Sequence, residues 1–160
     1  MALSKIQALS LDTGVGGKVL QVVSSKFELN QTNNSTSYAS TNYALSLTPS
    51  STSSKIFVKF NGKFYMDGNS QGNDIAGKIK LVRTIGATSD NIMEDDGIPR
   101  IGMNHSGYLF GTHQTEYLDS PATTSSVEYR IHIAIKVSGM VISLPSDNGD
   151  SSATLMEIAG

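Results

Sequence analysis

The sequence predicts an all-β protein, a jelly-roll-like β-sandwich with a short N-terminal arm. Three observations carry that expectation. Ser, Thr, Asn and Gly dominate, Trp is absent and only 16% of residues are charged; Ser, Thr and Asn compete for backbone hydrogen bonds inside helices and so favour strands and turns. Apolar residues recur at period two in segment after segment, the spacing of strands with one buried face. One phrase also appears twice, LTPSSTSSKIFVKF at 47–60 and LDSPATTSSVEYRIHIAIK at 118–136. Each copy is a leucine, a nearby proline, a run of small hydroxyl residues and then alternation.

The elements follow in order. Residues 1–17 read as an arm: Leu3, Ile6, Leu9 and Leu11 are apolar at loosely helical spacing, and Gly14, Gly16 and Gly17 stop any helix there. Residues 18–160 form the sandwich domain, long enough to bury a core. Lys18–Ser24 is β-branched and mostly apolar, which predicts a strand buried on both faces. Tyr43, Leu45 and Leu47 alternate with Ala44 and Ser46, as do Ile56, Val58 and Phe60 with their lysine neighbours. Ile79, Leu81 and Ile85 continue the pattern. The longest run is Val127, Tyr129, Ile131, Ile133, Ile135 and Val137, with Glu128, Arg130, His132 and Lys136 pointing the other way. Ser138-Gly139 predicts a tight hairpin into Met140, Ile142 and Leu144, and Ala153–Ile158 predicts a closing strand. Segment 86–104 lacks alternation and reads as an extended surface loop. Pro49 and Pro121 block strand continuation, so the two hydroxyl runs are expected to carry the chain across an end of the sandwich and to do nothing else.

Function classes fall away quickly. A net charge of −2 and a pI near 5.8 give no pull toward nucleic acid. Without cysteine there are no disulfides, thiolate chemistry or Cys-ligated metals. No run approaches the ~20 apolar residues of a membrane span. The stretch MALSKIQALSLDTG has one lysine and no continuous apolar core, which argues against a secretory signal and for assembly in a cytoplasm. GVGGKV at 14–19 lacks the spacing and following helix of a phosphate loop, and NHSGY at 104–108 fails as a nucleophile elbow. His105, His113 and His132 have no metal-ligand spacing. The acidic clusters EDDG at 94–97 and DNGD at 147–150 do not match a calcium loop and read as solvated loop tips. The expectation is a protein with no catalytic residues, no cofactor and no metal.

Five phrases carry a resemblance: GKVLQVV (17–23), LTPSSTSSKI (47–56), LVR (81–83), LDSPATTSSVEYRI (118–131) and TLMEIAG (154–160). In this order they resemble a domain at the C-terminal end of virion proteins of tailed bacteriophages, familiar from phages of aquatic bacteria. The resemblance implies a trimeric β-sandwich knob found on head fibres, capsid decoration proteins and tail fibres, with no catalytic residues. It implies this chain itself and a major capsid protein as partners, with host-surface glycan as the target of a fibre tip. Fibre members resembling it have long N-terminal repeats, whereas about sixteen residues precede GKVLQVV here. An arm of that length reaches only ~50 Å. The expectation is therefore a homotrimeric decoration (cement) protein on the capsid surface, with a head-fibre or tail-fibre tip as the alternative. Leu3, Ile6, Leu9 and Leu11 are the capsid-contact candidates. Tyr129, Ile131 and Ile133 are candidates for the core or the trimer contact, two roles that the sequence leaves open.

Overall fold

The computed structural model describes residues 17–68, 75–101, 108–144 and 151–160, and every regular element among them is a strand. In chain order these are β1 (Val19–Phe27), β2 (Gln31–Asn33), β3 (Ala39–Leu47), β4 (Lys55–Asp67), β5 (Ile75–Ile85), β6 (Thr88–Ile101), β7 (Tyr108–Asp119), β8 (Val127–Ile135), β9 (Val141–Leu144) and β10 (Ser151–Ile158). They form two sheets. One runs β1-β10-β4 with β7 on the other side of β4, and β9 and β2 extend it; the second runs β3-β8-β5-β6.

Register shows that the first sheet is four ribbons wide. β10 lies along β4 from Lys55 to Asn61, and β9 continues along the same edge from Tyr65 to Asp67. β1 pairs with β10 and β2 with β9. Thus β1–β2 form one interrupted ribbon and β9–β10 another. Counted this way the chain has eight ribbons, the first sheet ordered first, eighth, third, sixth and the second ordered second, seventh, fourth, fifth. That interleaving is the double Greek key of a jelly roll.

The core lies between the sheets. Ile56, Val58, Phe64, Leu81, Val127, Ile142 and Leu155 are fully enclosed, each worth roughly 1.5–3 kcal/mol of burial. Tyr129, Ile131 and Ile133 are 0%, 2% and 1% exposed and face this interior. A side chain enclosed within one subunit has no surface to give a second, so these three are core residues. Close packing also fixes a glycine. A Cβ on Gly111 would meet the buried Phe64 ring at 2.4 Å, and a ring held on both sides has nowhere to move. Gly111→Ala is expected to cost about 1–3 kcal/mol of stability, measured as a lowered urea midpoint with an unchanged slope.

Four sequence expectations are corrected. β1 is not buried on both faces: it is the edge of its sheet, its inward side is only half covered, and Val22 is 54% exposed. Its β-branched run reflects strand propensity rather than double burial. Ser138-Gly139 does turn, with Gly139 at φ 87°, but β8 and β9 lie in different sheets, so the turn is a crossover and not a hairpin. Residues 88–101 of the expected loop form the edge strand β6, joined to β5 by a tight turn in which Gly86 has φ 59°. Three register shifts along the β5–β6 pair interrupt the alternation that would have revealed it. The fourth correction concerns the first hydroxyl run.

Candidate functional sites at the strand ends and on the outer face

Both repeated phrases cross between sheets at the same end of the sandwich. The first links β3 to β4, the second β7 to β8, and Leu47 pairs with Val127 while Ile56 pairs with Asp119. Each crossing meets a buried carboxylate. Glu157, on the last strand, is 1% exposed. One of its oxygens accepts from the Ser50 N–H, the Ser50 hydroxyl and the Ser54 hydroxyl, all at 2.7 Å; the other accepts from the Gln21 amide at 2.6 Å. Burial by itself would raise the pKa of this carboxyl, but the bonds from Ser50, Ser54 and Gln21 outweigh it and bring the value down to about 2. The Gln21 amide also donates to the Thr48 carbonyl at 2.7 Å. One carboxylate therefore ties β10, β1 and the first crossing together, and the first hydroxyl run does more than turn.

The second crossing supplies its own acid. Asp119, 5% exposed, accepts from both sides: Arg83 donates at 3.0 and 3.2 Å and the Tyr129 hydroxyl at 2.7 Å. Arg83 also donates to Asp90 at 2.7 Å, and that bond, ahead of its contact with Asp119, raises its pKa further. Burial and the neighbouring Asp119 carboxylate push the Tyr129 phenol well above its ordinary range. This pair joins β7 to β5 and β8, bridging the two sheets.

Both carboxylates are buried and taken up by donors from neighbouring strands and crossings, so they hold strand ends rather than a substrate. Their signal was present in the sequence as charges in phase with apolar residues. Glu157 shares parity with Ala153 and Leu155, and Arg83 shares it with Ile79 and Leu81.

The remaining sequence candidates scatter. Leu3, Ile6, Leu9 and Leu11 lie outside the described residues, as do His105 and the 147–150 cluster. His113 bonds the Thr115 hydroxyl at 2.7 Å, and burial lowers its pKa. His132 is half-buried on the outer face of the second sheet, its pKa lowered by burial and by Lys80 and Arg130. Glu94 accepts from Tyr38 at 2.9 Å and from Asn91 at 2.7 Å. Among the described residues, no three His, Asp or Glu side chains gather as a metal site, and no helix is long and apolar enough to cross a membrane.

The outer face of the first sheet is the distinctive surface. Cross-strand register places Val22, Met156, Phe57 and Leu118 in one row spanning all four ribbons. Val22 is 54% and Leu118 50% exposed. A polar belt follows, including the Lys59–Glu116 ion pair at 2.8 Å. Beyond it Tyr65 stacks on Tyr108 at 5.5 Å and tilts against Phe110 at 5.0 Å, with Tyr108 and Phe110 65% and 64% exposed. Single exposed apolar residues need no explanation; a contiguous row does.

No protein-family model matches the sequence, and no curated protein does either. Among solved structures, the chain is similar to the T=1 particle structure derived from infectious bursal virus, at 9% identity and TM-score 0.42 over 96% of this chain and 41% of that one. It is also similar to the VP2 subviral particle of infectious bursal disease virus, at 7% identity and TM-score 0.39 over 96% of this chain and 44% of that one. The chain thus spans less than half the length of those chains, and at such identities nothing of their activity transfers. The class rests on strand order: a jelly-roll β-sandwich.

Proposed function

We propose that this chain is a virion structural protein, a homotrimeric decoration protein that binds the outer surface of a phage capsid and stabilises the shell. The observation that carries the reading is the row Val22–Met156–Phe57–Leu118, an adhesive strip on the outer sheet face of a body whose buried charges are committed to holding its strand ends. The phrases that resemble those of phage virion knob domains support it. Adhesion needs contact area, of order 1,000 Å² for a stable interface, and a broad sheet face offers area where a catalytic cleft would offer depth.

The test combines light scattering with co-sedimentation on expanded shells of a tailed phage of an aquatic bacterium. A trimer of three 17.0 kDa chains that pellets with shells is the expected result. Val22→Lys with Leu118→Lys should abolish trimer formation or pelleting while changing stability by no more than ~0.5 kcal/mol, since both sites are half exposed. Binding and assembly unaffected by that pair would overturn the role of the strip. The second reading, a fibre tip that binds host-surface glycan, is favoured by one observation, the exposed rings of Tyr108 and Phe110 set against the part-buried Tyr65, because sugar rings stack on aromatic faces. Retention on a glycan array, lost in Phe110→Ala, with no shell binding, would select it.

A further inference from the structure

We propose that β7 is a self-pairing edge: two copies of this chain join antiparallel along residues 110–118, about a two-fold axis at Gln114, and their first sheets become one continuous sheet. The proposal rests on β7 and is independent of the virion role. Among the described residues, β7 bonds β4 along one edge and no strand along the other. Its pairing with β4 runs unbroken from Tyr108 to Asp119. It has no proline, no lysine and no bulge, the devices that keep an edge from pairing. Its exposed acid, Glu116, is already matched with Lys59 at 2.8 Å. Of the eight large apolar side chains exposed among the described residues, four stand on this one strand: Tyr108, Phe110, Tyr117 and Leu118. An edge so long and so apolar is a template for another strand.

The occupant follows from the register, because β7 is complementary to itself. Its even-numbered residues face outward and its odd-numbered ones inward. A pairing that keeps both outer faces on one side must therefore set even against even. With Gln114 on the axis, Phe110 faces the second copy's Leu118, twice by symmetry, and Thr112 faces Glu116. On the inner side Tyr117 lies opposite Gly111, which the Phe64 ring keeps bare and which leaves room for an aromatic ring across the strand. Moving the axis to His113 sets that histidine against its own copy and Phe110 against Glu116; moving it to Thr115 sets Leu118 against Thr112. Of the three registers, the one at Gln114 alone gives both Phe110 and Leu118 an apolar partner. It also extends the apolar row, since Val22, Met156, Phe57 and Leu118 run on to the second copy's Phe110 and Tyr65. Nine residues paired in this way exchange roughly eight to ten backbone hydrogen bonds, as many as a typical protein interface carries. The contact is two-fold, so it links chains of neighbouring trimers, or two free chains, and leaves the threefold contact of the proposed decoration protein elsewhere.

The chain has no cysteine, so single thiols report the axis. Gln114→Cys should oxidise to a disulfide-linked dimer at micromolar protein, because facing residues of paired strands lie within disulfide reach. Thr112→Cys, held about 14 Å from its own copy, should not; mixed with Glu116→Cys chains, it should give the mixed dimer. Adding Phe110→Lys and Leu118→Lys sets lysine against lysine and should slow the Gln114→Cys reaction at least about tenfold. Val22→Lys, on the opposite edge ribbon, should leave that reaction unchanged, which separates this contact from the role of the strip. In the cysteine-free chain, both alternate sets of β7 amides should be protected at high concentration, and the set facing away from β4 should be released on dilution. Gln114→Cys chains that link no faster than Thr112→Cys chains, or an outward set unprotected at every concentration, would overturn the proposal.

Discussion

Glu157→Ala is expected to be among the most damaging single substitutions in this chain, lowering the unfolding free energy by roughly 3–5 kcal/mol. Removing the carboxylate, itself 1% exposed, leaves the buried Ser54 hydroxyl without its acceptor and takes one from the part-buried Ser50 and Gln21 donors. Each orphaned buried donor costs on the order of 1–3 kcal/mol before relaxation. The same site makes stability depend on acid. The folded carboxyl has a pKa of about 2 against an ordinary 4.5, so below pH 5 the unfolded chain binds the proton first. Falling pH then favours unfolding. The contribution is complete above about pH 5 and disappears progressively toward pH 2, a total of roughly 3 kcal/mol. His113 and His132, with lowered pKa values, add a separate loss that begins below about pH 6.5. Urea midpoints of wild type and Glu157→Gln across pH 2–7 isolate the Glu157 share. The two curves should converge toward pH 2, and a constant gap at every pH would refute the assignment.

The second large effect concerns Asp119. Asp119→Ala leaves the buried Tyr129 hydroxyl without its acceptor and takes from the Arg83 guanidinium one of its two carboxylates, Asp90 remaining, at a cost of about 2–4 kcal/mol. Most of that loss is the penalty of the abandoned partners rather than the net worth of the bridge. Arg83→Leu/Tyr129→Phe/Asp119→Leu, which removes all three partners, should therefore be less destabilised than Asp119→Ala. Urea unfolding of wild type, single and triple variants decides the matter; a triple variant that loses the sum of the single losses would show that the bridge itself supplies the stability.

Strand content was legible because alternation is a local property. Ile56, Val58 and Phe60, or Val127 through Ile135, announce a buried face without reference to any other segment. The prolines and hydroxyl runs marked both crossings for the same reason. β6 was illegible: register shifts break its alternation, and an edge strand gains its definition from its neighbour β5. β1 was read as central because composition reports strand propensity and not how many neighbours a strand acquires. Glu157 and Asp119 could be noticed as charges out of place, but their donors come from 103 to 136 residues away for Glu157 and from Arg83, 36 residues back, for Asp119.

The amino-acid order alone determined that this protein is built of strands, where the two proline-marked crossings lie and which residues of the longest alternating runs share a face, since these follow from period-two patterning and proline geometry. Only the tertiary structure decided the interleaved strand order, the core placement of Tyr129, Ile131 and Ile133, the pairing of the two carboxylates and the apolar row on the outer face. Those features arise when segments remote in the chain share one register, and register is set by the simultaneous burial of both sheets, a global condition that no local window contains.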